Sequence, residues 1–93
     1  MVRRSDLENE VDSIGRITTA GKVTIYRHPS IKVPCGITAG PDGALWFTND
    51  VFGAGGWIGR ITTAGKVTVY RDKGIEGAHG ITAGPDGALW FTN

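Results

Sequence analysis

Residues 14–49 read IGRITTAGKVTIYRHPSIKVPCGITAGPDGALWFTN, and residues 58–93 read IGRITTAGKVTVYRDKGIEGAHGITAGPDGALWFTN. The two segments align without a gap at an offset of 44 residues, and 28 of the 36 aligned positions are identical. Nearly all of the differences fall in one variable segment, residues 28–35 in the first copy and 72–79 in the second. A period of this length is typical of four-stranded propeller blades, which repeat about every 40–45 residues.

Each copy alternates short stretches of β-branched and aromatic residues with glycine-containing turns. The Pro41-Asp42-Gly43 sequence predicts a tight turn, because proline presets its own φ and Asp-Gly suits the positions that follow. Strand signals at this spacing, without helical periodicity, predict an all-β protein with antiparallel blades. The predicted strands of the first copy are residues 14–18, 23–26, 36–39 and 44–48, and the same order recurs in the second copy.

The last strand of each copy is apolar on both faces. It reads Leu-Trp-Phe in both places, whereas a strand in a sheet with one solvent-exposed face would alternate apolar and polar residues. Propeller blades pack both faces against neighbouring blades. We therefore expect these aromatic residues to form core between blades, in preference to a ligand platform. They are Trp46, Phe47, Trp90 and Phe91.

The composition excludes several classes of function. Ten Lys and Arg residues against nine Asp and Glu residues leave a net charge of +1, which argues against a nucleic-acid binder or a polybasic membrane binder. No apolar run approaches the roughly 20 residues of a membrane helix, and no secretory signal is visible, so we expect a cytoplasmic protein by default. The single cysteine, Cys35, excludes a disulfide within the chain.

The recurring Ile-Gly-Arg-Ile-Thr-Thr-Ala-Gly-Lys-Val-Thr and Gly-Ile-Thr-Ala-Gly-Pro-Asp-Gly-Ala-Leu-Trp-Phe-Thr segments resemble the virginiamycin B lyase (streptogramin lyase) family. The resemblance covers residues 14–93. It implies a seven-bladed propeller in which Gly-Ile-Thr is the innermost strand and Leu-Trp-Phe-Thr the second. Ile-Gly-Arg-Ile-Thr would be the third strand and Lys-Val-Thr the outermost.

This strand order puts the chain out of phase with its blades. It would open with strands three and four of one blade (about 14–26), continue with one complete blade (about 36–70), and end with strands one and two of another (about 80–92). The half-blades are complementary, so a second copy can complete each of them in a Velcro closure. Two blade equivalents per chain predict a homotrimer with six blades or a homotetramer with eight.

The predicted domain organisation has three parts. A disordered N-terminal tail precedes the two repeats, and a flexible glycine-rich loop joins them. The tail is residues 1–13, the repeat region is residues 14–93 with copies at 14–49 and 58–93, and the joining loop is residues 50–57.

The family that the chain resembles is a magnesium-dependent eliminase, which opens the ester-linked ring of streptogramin B antibiotics without water. The resemblance implies a general-acid histidine directly before the Gly-Ile-Thr strand. It also implies metal-binding glutamates two residues before that histidine and directly after Trp-Phe-Thr. His79 occupies the histidine position, but Gly77 and Asn93 stand at the glutamate positions. In the first copy the corresponding residues are Cys35, Val33 and Asn49.

Because both carboxylates are missing from both copies, we expect no magnesium site, no cofactor and no catalysis. Glu76 and Asp50 are the nearest carboxylates, and either could reach the channel mouth. In a ring, Cys35 and His79 would alternate around the axis. They form either an adventitious transition-metal or anion site or an inert thiol beside a solvent-facing imidazole.

We therefore predict a self-assembling, non-catalytic propeller module. One alternative is a module that binds an unknown small-molecule ligand through loops 27–35 and 71–79, with Cys35, His79, Asn49 and Asn93 as candidate binding residues on the channel or loop face. The other is a residual streptogramin B lyase-type C–O eliminase, for which His79 is the catalytic candidate.

Overall fold

The computed structural model describes residues 12–51 and 55–93, and the regular elements within these ranges are β-strands. The all-β prediction is confirmed. Residues 1–11 of the predicted tail lie outside the described residues, while Ser13 already belongs to the first strand. In chain order the strands are β1 (Ser13–Ile17), β2 (Val23–Arg27), β3 (Pro34–Ala39), β4 (Leu45–Val51), β5 (Gly55–Ile61), β6 (Val67–Tyr70), β7 (Ile81–Ala83) and β8 (Leu89–Phe91).

The strands form three antiparallel sheets. β3, β4, β5 and β6 make a four-stranded sheet in sequence order, which we call the central blade. β1 pairs only with β2, and β7 only with β8, within the part of the chain that the structure describes. β7 lies beside β3 and β4, so the Gly-Ile-Thr strands of the two repeats are neighbours. No helix in residues 12–51 and 55–93 is long and apolar enough to span a membrane.

The hairpin turns of both repeats contain a glycine in a conformation that other residues rarely adopt. Gly43 has φ 85° and Gly87 φ 83°, in the left-handed region that costs glycine nothing. Within the first of these turns, the Asp42 carboxylate accepts hydrogen bonds from the Ala44 backbone N–H at 3.2 Å and from Trp46 Nε1 at 3.1 Å. The aspartate therefore ties the turn to the strand that follows it.

The core joins β1 to the central blade. Phe47 is fully buried, and its ring lies directly over Gly59 on the neighbouring strand, where a Cβ atom would overlap it. Ile14 from β1 and Ile61 from β5 pack in the same cluster. Burial of each such side chain contributes about 1.5–3 kcal/mol, so this cluster holds the first half-sheet against the central blade. Its remaining members are Ile31 and the partly buried Tyr26, Leu45 and Val67.

The hairpin between β4 and β5 is longer than the sequence predicts. Residues 50–57 were expected to form a flexible loop, but pairing continues through Asn49↔Trp57 and Asp50↔Gly56 to Val51↔Gly55. Gly56 lies so close to the Asn49 carbonyl that a Cβ atom there would overlap the oxygen. Gly56 therefore allows the close approach of β4 and β5, and the predicted limits of both strands were wrong.

The turn aspartates of the two repeats have different electrostatic surroundings. Arg60 Nε donates to Asp42 Oδ2 at 2.8 Å, and this bond, followed by that from Trp46, lowers the pKa of Asp42 to about 2. The pKa of Asp86 is also lowered, mainly by the hydrogen bond from Trp90.

We expect Arg60→Gln to raise the pKa of Asp42, because the variant removes the largest cause of the lowered value. An aspartate with a folded-state pKa below its unfolded value of about 3.9 stabilises the fold above that pH. That contribution disappears as the pH falls toward 2, and the variant should lose it at a higher pH. Carboxyl carbon NMR titration measures both aspartates in one experiment. Asp86 is the internal control, and an unchanged Asp42 pKa would contradict the assignment.

Candidate functional site

Three side chains with chemically reactive groups meet where β3, β4 and the segment leading into β7 come together. Cys35 lies in β3, Asp50 near the end of β4, and His79 two residues before β7. His79 Nε2 is 2.9 Å from Asp50 Oδ2, which is hydrogen-bonding distance. One potential ligand atom from each of the three residues lies within 4.8 Å of the other two. We call this group the Cys-Asp-His cluster.

The backbone around His79 is fixed on two sides. The buried Thr48 hydroxyl donates to the His79 carbonyl at 2.8 Å and accepts from the Gly36 N–H at 3.0 Å. The His79 N–H donates to the Thr92 carbonyl at 3.0 Å. A side chain at Gly36 would collide with the His79 carbonyl. Glycine at this position therefore lets β3 and the segment before β7 approach closely enough for the cluster to form.

Cys35 is positioned by an unusual backbone conformation. Val33 has φ 45°, in the left-handed region that β-branched residues rarely adopt. Its carbonyl accepts a backbone hydrogen bond from Asp50 at 3.2 Å and a weak one from the Cys35 thiol at 3.6 Å. The loop before β3 is therefore tied to the end of β4, and the thiol remains exposed.

Asn49 and Asn93, the other two candidate binding residues, lie outside the cluster. The fully buried Asn49 amide accepts from the Lys32 N–H and donates to the Ser30 carbonyl, both at 3.0 Å. Asn93 makes the same kind of bridge, from the Glu76 N–H at 3.2 Å to the Gly74 carbonyl at 2.7 Å. Each asparagine therefore braces the variable segment of its own repeat.

These contacts do not fit the magnesium site that the sequence resemblance implies. Magnesium takes oxygen ligands, mostly carboxylates and water. Of the implied positions, Gly77 and Val33 offer no side-chain oxygen, and the oxygens of Asn49 and Asn93 are committed to backbone N–H groups. The described residues thus provide no magnesium site at these positions.

Cys35 and His79 stand at equivalent positions of neighbouring repeats, and the structure brings them together within one chain. Asp50 was predicted only as a carboxylate that could reach the channel mouth. The available signal was strand alternation: Thr48 and Asp50 share one face of β4, whereas Asn49 points to the other. Thr48 and Asp50 both contact His79, and Asn49 enters the protein interior.

The fold and its repeat define a β-propeller fragment, with one four-stranded antiparallel sheet and two two-stranded ones in the described residues. A streptogramin B lyase structure matches it with a TM-score of 0.75 and 46% sequence identity, covering 91% of this chain and 28% of that one. The virginiamycin B lyase family model matches residues 7–93, and the chain belongs to this family. It therefore spans little more than a quarter of the length of the matched lyase. Comparison with curated proteins gives no match.

We expect Asn49→Ala to lower the free energy of unfolding by about 1–3 kcal/mol, because it leaves the Lys32 N–H without its side-chain acceptor, while the Ser30 carbonyl keeps its hydrogen bond from Trp57 Nε1. Asn49→Asp should cost more, because it places a carboxylate against the Ser30 carbonyl without solvent. Denaturant unfolding measures both effects, with Lys73→Ala on the exposed second variable segment as the control. Unchanged stability in Asn49→Ala would show that this residue does not brace the loop.

Proposed function

We propose that this chain is a self-assembling β-propeller module without catalysis, whose two half-sheets are completed by copies of itself. The observation that supports the proposal most strongly is the complementarity of the free edges. β1 and β2 correspond to β5 and β6 of the central blade, while β7 and β8 correspond to β3 and β4. Joining the two half-sheets from different copies would reproduce the central blade.

The exposure of equivalent residues supports the same conclusion. Phe47 is 0% exposed in the central blade, whereas its equivalent Phe91 is 38% exposed on β8. Ile61 is 1% exposed, and its equivalent Ile17 on β1 is 69% exposed. Soluble proteins rarely leave such groups of apolar side chains in water, and an unpaired strand edge also invites association with another strand.

The contact between Phe47 and Gly59 identifies how the copies would fit together. These residues are opposite each other in the β4–β5 pairing, and their repeat equivalents are Phe91 and Gly15. The space above Gly15 is open, since a Cβ atom there would meet only Ile25 Cδ1 at 3.6 Å. A cleft lined by residues 13–15 and 34–37 runs beside it, between β1 and β3. Phe91 of a second copy would lie over Gly15.

Two further contacts of the central blade have equivalents across this junction. Trp46 stacks on Tyr70 with ring centroids 5.4 Å apart, and Trp90 would stack likewise on Tyr26 of a second copy. The Asp42–Arg60 pair would be repeated by Asp86 and Arg16 of a second copy, and so would be formed only on assembly.

Closed rings of identical chains contain an even number of blades when each chain supplies two. Rings of six or eight blades lie within the common range of about four to eight, and they correspond to a trimer or a tetramer. The contact is head-to-tail and repeats around a rotation axis until the ring closes. In the closed ring, the free edge of β1 pairs with that of β8 from a second copy.

We expect native mass spectrometry at low micromolar concentration to give three or four copies of the chain. Gly15→Val should yield a folded single chain, because its side chain fits the open space in the separate chain but fills the position of the incoming Phe91 ring. A folded single chain from the unmodified sequence would contradict the proposal.

Two controls separate assembly from folding. Lys22→Ala, in the exposed turn between β1 and β2, should keep the ring, because it removes none of the contacts proposed for the junction. Gly59→Val should unfold the chain itself, since Phe47 already occupies the space above Gly59. Circular dichroism distinguishes an unfolded chain from a dissociated one.

The matched streptogramin B lyase suggests the substrate for a test of catalysis. We expect no opening of a streptogramin B ring, with or without magnesium, because the described residues lack the implied carboxylates. Magnesium-dependent product formation, detected by mass spectrometry and lost in His79→Ala, would favour a lyase instead.

A further inference from the structure

We propose that the Cys-Asp-His cluster binds one divalent transition-metal ion of the zinc class through Cys35 Sγ, Asp50 and His79. This site differs in both ligands and metal from the magnesium site implied by the family resemblance. All three ligands belong to one chain, so the proposal does not rest on ring assembly.

The distances are close to those that a tetrahedral zinc ion requires. With bonds of about 2.0–2.3 Å, ligand atoms in such a site lie about 3.3–3.7 Å apart. His79 Nε2 and Asp50 Oδ2 are 2.9 Å apart, and an ion between them would separate the two atoms slightly. The three potential ligand atoms lie within 4.8 Å of one another, so the exposed thiol must approach by roughly 1 Å at most.

The chemistry of the donor set selects the metal. A thiolate and an imidazole bind zinc, cobalt and similar borderline ions, whereas magnesium takes oxygen ligands. Three protein ligands leave the fourth tetrahedral position to water, which is the arrangement of zinc sites that are open to substrate. Cys35 and His79 are exposed and Asp50 is partly exposed, so an ion can enter from solvent.

The surrounding backbone limits the cost of forming the site. Thr48 and Thr92 hold the main chain on both sides of His79, and the Asp50 N–H is bonded to the Val33 carbonyl. Groups that orient metal ligands typically change metal affinity by 10–100-fold when they are removed. Binding would replace the weak bond from the Cys35 thiol to Val33 with a metal–thiolate bond and release the thiol proton to solvent.

The test is titration of the full 93-residue chain with Co²⁺ under reducing conditions. We expect one ion per chain and a thiolate-to-cobalt charge-transfer band in the near ultraviolet. Zn²⁺ should displace the cobalt and protect Cys35 from alkylation, whereas excess Mg²⁺ should do neither. Absence of the band, or a band unaffected by Zn²⁺, would overturn the proposal.

Variants identify the ligands. Cys35→Ser should abolish the charge-transfer band, and Asp50→Asn and His79→Ala should each weaken Co²⁺ binding by at least about tenfold. His28→Ala removes the other histidine, which lies outside the cluster, and should bind as the unmodified chain does. Equal loss in His28→Ala, or unchanged binding in His79→Ala, would overturn the assignment.

Repeating the titration with Gly15→Val separates this proposal from the proposed assembly. The variant should bind one Co²⁺ per chain whether or not it forms a ring, because no ligand comes from a second copy. Loss of binding in a folded Gly15→Val chain would show that the site needs assembly and would overturn the one-chain site.

Discussion

The packing of the Phe47 ring against the backbone of Gly59 is the contact on which the rest of the central blade depends. It requires a residue without a side chain on β5, and it allows β4 and β5 to pair along seven residues while the ring enters the core with Ile14 and Ile61. The packing therefore sets the spacing between strands and the attachment of the first half-sheet together. The proposed assembly applies the same contact a second time, across the boundary between chains.

Much of the fold was predictable because the same turn glycines and strand residues recur in both repeats. Positive-φ glycines lie in the hairpin turns, and strands of three to seven residues lie between them. The extent of the β4–β5 hairpin was not predictable in the same way. Glycines at its end were interpreted as flexibility, yet Gly56 is needed because a neighbouring carbonyl lies against it. Composition alone does not distinguish a glycine that bends freely from one that permits close contact.

The candidate site was predictable in part. Equivalent repeat positions brought Cys35 and His79 to one region, and strand alternation accounts for Asp50. The distances depend on details that no pattern records, including the irregular register between Pro34 and Ile37 and the left-handed Val33. Asn49 shows the opposite case. Its position made it a candidate binding residue, but its amide hydrogen-bonds to the neighbouring loop at Lys32 and Ser30. Asn49 lies within β4 and is fully buried, so its amide hydrogen-bonds to the main chain around it.

Val33 carries a conformation that its repeat equivalent, Gly77, can adopt without cost. A residue held in a sparsely populated region costs on the order of 1–3 kcal/mol, and such positions cluster at functional sites. Recombination between the coding sequences of the two repeats could copy the second variable segment over the first. That exchange would relieve the backbone at position 33 and replace Cys35 with a second histidine in one event. In that exchange the strained backbone and the thiol would be lost together.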